Sequence, residues 1–165
     1  MLKVNLMGTG LKGFTNIDIS WKANKRVDLE RRRIPIPDSS VDILICMNGI
    51  GYFTKNRAQF IIKDVYRILK PGGVCRFGTQ DLALICSQYL NGHPDFQCDR
   101  INEWFGGYEA NGKKCKYVYD SGTLWRLFHT AGFKKITICA YQHSPKNIGR
   151  YDNRPEQQFF MEAVK

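Results

Sequence analysis

The sequence predicts an α/β fold in a single domain, and three observations carry that reading. Short β-type runs alternate with helical periods along the chain. The run VDILICM at residues 41–47 is almost continuously apolar, as a central strand covered on both faces requires. The 165 residues fall within the roughly 100 to 200 typical of one domain. With 43% hydrophobic and 13% aromatic residues there is material for a real core, which excludes a disordered chain and a disulfide-stapled mini-protein. No repeat, low-complexity tract or Pro/Gly/Ser linker divides the chain, so residues 1–165 read as one domain.

Taken in order, the expected strands are Lys3 to Leu6, Thr15 to Ile19, Arg26 to Leu29, Val41 to Met47, Val74 to Gly78, Lys135 to Ala140 and Gln158 to Val164. Only eight residues separate the first two, so the first crossover helix is short or missing. Ile61, Val65, Ile68 and Leu69 fall on one face of a helix closed by Pro71-Gly72-Gly73. Asp81 is placed to cap a second helix through about Leu90. Leu124, Leu127, Phe128 and Ala131 stripe a third that stops at Gly132, and both later helices are expected to face the core. Residues 91–118 break every period with NGHPDF, FGGYEANG and KKCK, and read as an insertion or lid whose aromatics Trp104, Phe105 and Tyr108 would meet a substrate. EQQFFMEAVK follows a stretch too irregular for a crossover helix, which favours an antiparallel closing strand.

Charge and cysteines narrow the setting. The formal net charge of +10 favours anionic partners, and it is concentrated in Lys22, Lys25, Arg26 and Arg31 to Arg33, with a second cluster at Lys113, Lys114 and Lys116. A solvated basic face and an RNA contact through residues 22–33 are both open readings. The six cysteines form no CxxC pair and no His-bearing zinc spacing, so no metal site is expected. Cys46, Cys75 and Cys139 sit in apolar runs, where a free thiol acts as a small hydrophobe, and a reducing, cytoplasmic setting is expected. No apolar leader region opens the sequence and no 18-residue apolar stretch exists, so neither export nor a membrane is expected.

Gly8-Thr9-Gly10-Leu11-Lys12-Gly13 spells a dinucleotide-binding fingerprint after a strand. That motif needs a helix opening inside it and an acid about 20 residues on, so that a pyrophosphate sits on the helix N-terminus. Here Asp18 follows Gly13 by five residues, which leaves no room for the helix and argues against NAD or FAD. S-adenosylmethionine, which lacks a pyrophosphate, suits the residues better. It needs a glycine loop (Gly8 to Gly10), a carboxylate at the second strand end for the ribose diol (Asp18), and polar or backbone groups near the third and fourth strand ends for adenine (Asp28 with Leu29, then Met47-Asn48-Gly49). A simple turn for the glycines and a capping role for Asp28 are the structural alternatives.

The runs VNLMGTGLKGFTNIDI, VDLERRRIPIPDSSVDILICMNGIGYF and VYRILKPGGVCRFGTQDLALICSQYL, with YDSGTLWRLFHTAGFKKITIC and a closing FFMEAVK, resemble the class I S-adenosylmethionine-dependent methyltransferases. The nearest likeness is to a small branch that starts directly at its first strand. The resemblance implies a Rossmann-like sheet of seven strands, mostly parallel with an antiparallel C-terminal strand, and the cofactor at the carboxyl ends of the first four strands. It implies methyl transfer to a small-molecule, glycan or nucleic-acid acceptor, with Gly8, Thr9, Gly10, Asp18, Asp28, Leu29 and Asn48 holding S-adenosylmethionine. Tyr52 and Asp81 are the candidate catalytic residues. Two departures from the family pattern, bulky Met7 close to where many relatives place their first glycine, which falls at Met7 or Gly8, and Gly51-Tyr52 where they often carry Glu-His, point to an alternative in which the fold binds RNA or a partner without catalysis.

Overall fold

The computed structural model describes residues 1–92, 109–110 and 113–165. The strands are β1 (Lys3–Leu6), β2 (Thr15–Asp18), β3 (Lys25–Arg26), β4 (Val41–Met47), β5 (Leu69–Gln80), β6 (Glu109–Ala110), β7 (Lys113–Lys114), β8 (Lys135–Cys139) and β9 (Gln158–Val164). The helices are α1 (Lys55–Ile68), α2 (Leu82–Leu90) and α3 (Ser121–Ala131). Seven strands form one sheet in the order β3-β2-β1-β4-β5-β9-β8, and β6 pairs antiparallel with β7. Every pair from β3 to β5 is parallel, and β9 runs antiparallel to both its neighbours. This is the Rossmann-like arrangement expected, with no helix in the crossovers from β1 to β4.

Because side chains alternate across a strand, the cross-strand register sorts the sheet into two unlike faces. Thr15, Val4, Leu44, Cys75, Ala163 and Ile136 are successive partners in one row. From Val4 onward this row joins a continuous core with Ile61, Ile62, Val65 and Ile68 of α1 and Leu124, Leu127 and Phe128 of α3. Phe128 sets its ring edge-to-face on Phe77 at 5.1 Å. The adjacent row reads Asn16, Asn5, Ile45, Arg76, Glu162 and Thr137, and it faces the other way. Here Arg76, fully buried, donates Nε and Nη2 to Asp152 at 2.6 Å each, and Nη1 to Glu162 at 3.3 Å. Ser144 donates its hydroxyl to Glu162 at 2.5 Å, so the loop between β8 and β9 is fastened over this face.

Local chemistry explains the element ends. Thr54 caps α1, Asp81 caps α2 by accepting from the Ala83 and Leu84 amides, and Asp120 caps α3 by accepting from the Thr123 amide. Gly132 ends α3 in the left-handed conformation at φ 111°, which glycine adopts without a Cβ penalty.

Four expectations are corrected. The third strand is Lys25–Arg26 only, because Val27 to Leu29 turn away: Asp28 accepts the Glu30 amide on its side chain and the Arg31 and Arg32 amides on its carbonyl. Leu69 is fully buried but lies outside α1, which ends at Ile68, three residues before Pro71; the chain is already extended there and pairs with Val41. The second strand stops at Asp18 and leaves Ile19 exposed. Helix α2 buries only Ile85 and leaves Leu90 80% exposed, so it is not a core helix. Of the expected lid at 91–118, residues 93–108, with Trp104, Phe105 and Tyr108, lie outside the described residues.

Candidate functional site

The carboxyl ends of the parallel strands open into a cleft of about 220 Å³. Its wall combines Met7 after β1, Asp18 and Ile19 at the end of β2, and Val27, Asp28, Leu29 and Glu30 after β3. Gly49, Tyr52 and Phe53 follow from the β4 side, and Lys114 and Lys116 close it from across the mouth. Such crevices outside the carboxyl ends of strands are where ligands bind in open α/β sheets.

With no crossover helix, an amide ladder shapes the loop from β1 to β2. The Asn16 side chain accepts from Asn5 Nδ2 at 2.8 Å and from the Leu11 amide at 3.1 Å. Its own Nδ2 donates to the Leu11 and Phe14 carbonyls and to Asn24 Oδ1. Asn16 thereby does with one carboxamide what a helix N-terminus does in the dinucleotide fold: it holds the glycine loop in one shape. Asp18, 7% exposed, points its carboxylate to the same edge and accepts the Ser20 amide at 2.9 Å.

The cleft is charged on both sides. Asp18, Asp28 and Glu30 stand on one wall, and Lys114 and Lys116 on the other. Lys116 Nζ reaches Glu30 Oε1 at 3.2 Å across the opening. The segment carrying it is pinned from below, since the Lys116 and Tyr117 amides both donate to the Gly51 carbonyl, at 2.8 and 3.1 Å. Gly51 allows this close approach, because a Cβ would sit 3.1 Å from the Tyr117 carbonyl oxygen and crowd it.

Met7 departs from the surroundings. Its φ of 59° is left-handed, a conformation that costs an L-residue about 1–2 kcal/mol and that glycine adopts freely. Its side chain lies against Gly49, where an added Cβ would come within 2.6 Å of Met7 Cβ. At the end of β4, Cys46 is fully buried, and burial pushes its thiol up to about 12, which makes it an inert core residue.

Asp18, Asp28, Leu29 and Tyr52 therefore line one cleft, as a common site for them requires. Gly8, Thr9, Gly10 and Asn48 are outside its wall; Gly8 and Asn48 adjoin it as chain neighbours of Met7 and Gly49. Asn48 instead joins a carboxamide group, donating to Asn153 Oδ1 at 3.0 Å and accepting from Gln80 at 3.4 Å. Asp81 lies apart, with its carboxylate engaged in capping α2. The residues missed by sequence reasoning are Ile19, Val27, Glu30, Phe53, Lys114 and Lys116. The two lysines stood out as a basic cluster, but nothing in the sequence joined them to β2 and β3. Among the described residues no group of His, Cys, Asp or Glu is arranged to hold a metal, and no helix is long and apolar enough to cross a membrane.

The fold and its strand-end cleft define a Rossmann-like methyltransferase domain, and comparison with known proteins agrees. Residues 10–77 match the Methyltransferase domain family. The tRNA N(3)-cytidine methyltransferase METTL2 of Mus musculus is 27% identical over 124 residues, covering 73% of this chain and 29% of that protein. The ubiquinone/menaquinone biosynthesis C-methyltransferase UbiE of Pseudoalteromonas translucida (strain TAC 125) is 30% identical over 152 residues, covering 83% of this chain and 54% of that protein. The chain thus spans less than a third of the first and about half of the second. Among solved structures, an S-adenosylmethionine-dependent methyltransferase from Mesorhizobium loti superposes with a TM-score of 0.64 at 18% identity, over 99% of this chain and 90% of that one. One from Archaeoglobus fulgidus gives 0.62 at 14% identity, over 99% and 86%. Residues 10–77 thus carry the match to the Methyltransferase domain family, and the whole chain has the fold of S-adenosylmethionine-dependent methyltransferases.

Proposed function

We propose that the chain binds S-adenosylmethionine in the strand-end cleft and transfers its methyl group to an acceptor. The observation that carries this is Asp18, a nearly buried carboxylate at the end of β2, opening on a cleft with the apolar wall of Val27, Leu29 and Phe53. A carboxylate there accepts hydrogen bonds from a ribose diol, and the apolar wall takes a planar base beside Asp28 and Leu29. Gly8, Thr9 and Gly10 border the methionine end as a loop, with Asn48 beyond Gly49. When bound, the cofactor supplies an already activated methyl group, so the chain's own contribution is to hold acceptor and donor in line. Tyr52, on the cleft wall, is placed to orient the acceptor; Asp81, committed to its helix cap, is assigned no catalytic role.

Met7 favours a second reading, binding without transfer, because its left-handed backbone sets a bulky side chain against Gly49 on the cleft wall. The acceptor class follows the relatives only loosely, since one is named for tRNA and another for a quinone. Calorimetric titration with S-adenosylmethionine and S-adenosylhomocysteine tests the binding claim. Binding is expected, with Asp18→Asn weakening it by about 1.5–3 kcal/mol, the worth of hydrogen bonds to a charged group, while leaving the protein folded. No heat and no shift in melting temperature at millimolar ligand overturns the cofactor reading. An unchanged Kd in Asp18→Asn overturns the role of that carboxylate. Methyl transfer in Met7→Gly but not in the native chain establishes the second reading.

A further inference from the structure

A second cleft, of about 290 Å³, lies between the loop after β3 and helix α1. Its floor is apolar, made by Leu29, Ile34 and Ile61, each no more than 4% exposed. Its rim is basic, with Arg32 and Arg33 from the loop and Arg57 and Lys63 from the helix. Phe60 stands on the same rim with 62% of its surface exposed, an unusual exposure for so large an apolar ring.

The construction separates structural cations from available ones. Arg57 is committed to the fold, its Nε donating to the Leu29 carbonyl at 2.6 Å and its Nη2 to the Arg32 carbonyl at 2.6 Å. Asp64 is the one acid in the wall, and it is neutralised in place. It accepts from the Ile34 amide at 2.6 Å, from Arg67 Nε at 2.5 Å and from Arg33 Nε at 3.2 Å. Burial works to raise this carboxyl, but the Arg67 and Ile34 hydrogen bonds and the nearby guanidiniums outweigh it and hold it below the usual carboxylate range. Arg33 is 76% exposed beyond its Nε contact, and Arg32 and Lys63 are exposed. The cleft therefore presents surplus positive charge on a rigid frame.

We propose that this cleft holds the backbone of a single-stranded nucleic acid, with Phe60 as a stacking platform for one base. Arg57, Phe60 and Lys63 succeed one another at three-residue intervals on one side of α1, so cation, aromatic and cation spread over about 9 Å of helix axis. A lone phosphate calls for cations converging on one point and leaves an exposed ring without use. A strand alternates phosphates with bases, and a positive groove interleaved with aromatics is the arrangement that suits it. Leu29 lines both clefts, so a strand held here runs beside the cofactor site along the same sheet edge. As a statement about the methyl acceptor this rests on the transfer reading; nucleic-acid binding and cofactor binding are measured separately, so either can fail alone.

The test is fluorescence anisotropy with labelled single-stranded RNA and DNA of about 12 nucleotides, within the footprint of known single-strand binders, over a salt series. The native chain is expected to bind, with affinity falling as salt rises. Arg32→Gln with Lys63→Gln should flatten the slope of log Kd against log salt by about 1.4, at about 0.7 per lost phosphate contact. Phe60→Ser should weaken binding about 5- to 150-fold, the share of one stacked base. A charge-matched control, Lys134→Gln with Lys135→Gln on exposed positions at the start of β8, should leave the slope nearly unchanged. Calorimetric S-adenosylhomocysteine affinity should be the same in all four proteins. Equal slopes in the cleft variant and the control overturn the site and leave a diffuse basic surface. Inorganic polyphosphate displacing the strand with no effect of Phe60→Ser overturns the strand and leaves an anion site. Preference between RNA and DNA identifies which strand the cleft takes, and absence of binding to both at low salt overturns the proposal.

Discussion

The two faces of the one sheet are built on different physics. The face under α1 and α3 is held by close-packed apolar side chains, whose burial stabilises without regard to direction. The opposite face carries Asn16, Asn5, Arg76 and Glu162 in a single cross-strand row and is held by directed hydrogen bonds to loops. The difference teaches why the chain dispenses with helices between β1 and β4. A carboxamide ladder around Asn16 fixes the loop from β1 to β2 where a helix would otherwise do so, and the ion-paired Arg76, with Glu162 and Ser144, fastens the loop between β8 and β9. The polar face therefore rests on directed contacts, each of which leaves a buried polar group unpaired when one partner is removed.

The sharpest way to break this comparison is to damage each face equally. Phe128→Ala, on the apolar face, is expected to cost about 3–5 kcal/mol at any pH, through lost burial and a cavity. Arg76→Met should cost a similar 3–5 kcal/mol at neutral pH, because it leaves Asp152 and Glu162 buried without their cation. Acid removes the unpaired negative charge that the missing cation leaves in the interior, so the penalty is expected to be smaller there. Denaturant unfolding at about pH 4 and 7 checks this: the Arg76→Met deficit should shrink in acid while the Phe128→Ala deficit stays. Equal deficits at both pH values would show that Arg76 acts by packing alone.

Asp64 supplies the opposite sign on the helix side. Its folded pKa is lowered from 3.8, so its contribution is present above that unfolded value and is lost as pH falls through the folded one. Asp64→Asn is expected to destabilise the native chain by about 1.5–3 kcal/mol at neutral pH, as hydrogen bonds to a charged group are lost. The two stability curves should converge in acid. Parallel curves would mean that the carboxylate charge contributes nothing there.

How much of this was legible in the sequence follows from the same contrast. Apolar periodicity located the seven strands, α1 and α3, and the caps at Asp81 and Gly132, because burial imposes a period. It failed at α2, where LALICSQYL is apolar yet mostly exposed, and at Val27 to Leu29, whose fate is decided by Asp28 forming a turn. The site was legible where one strand end supplies one residue: Asp18, Asp28 and Leu29 meet in the cleft. It was not legible where distant segments meet. Lys116 and Glu30 are 86 positions apart, and Phe60 joins Arg32 only through the docking of α1. Asn16 gave no signal, since an asparagine in a short strand reads as noise until its partners Asn5 and Asn24 are placed.

Asn16→Ala sharpens the comparison at the cleft itself. It removes the acceptor of Asn5 and Leu11 and the donor to Phe14 and Asn24, leaving buried polar groups unpaired at about 1–3 kcal/mol. The loop from β1 to β2 should then exchange its amides faster, while those of β5 and β9 stay protected. Hydrogen exchange resolves the two regions. Uniform loss of protection would show that the ladder supports the whole sheet and not the loop.

The smallest expected effect belongs to the contact that crosses the strand-end cleft. Lys116 and Glu30 are each about 40% exposed, so their ion pair is worth under about 1 kcal/mol and is screened by salt. Its position gives it a kinetic role all the same, because it joins the two walls between which a ligand must pass, and one wall is already pinned at Gly51. Breaking it by Glu30→Gln should leave the stability within about 0.5 kcal/mol of the native value, as for most surface changes. It should speed S-adenosylhomocysteine dissociation by no more than about fivefold, the factor that 1 kcal/mol allows. The native rate should itself rise with salt toward the Glu30→Gln rate, and the variant's rate should depend on salt less. Stopped-flow dissociation at low and high salt measures both, and a variant whose rate equals the native one at low salt would show that the pair spans the mouth without holding it closed.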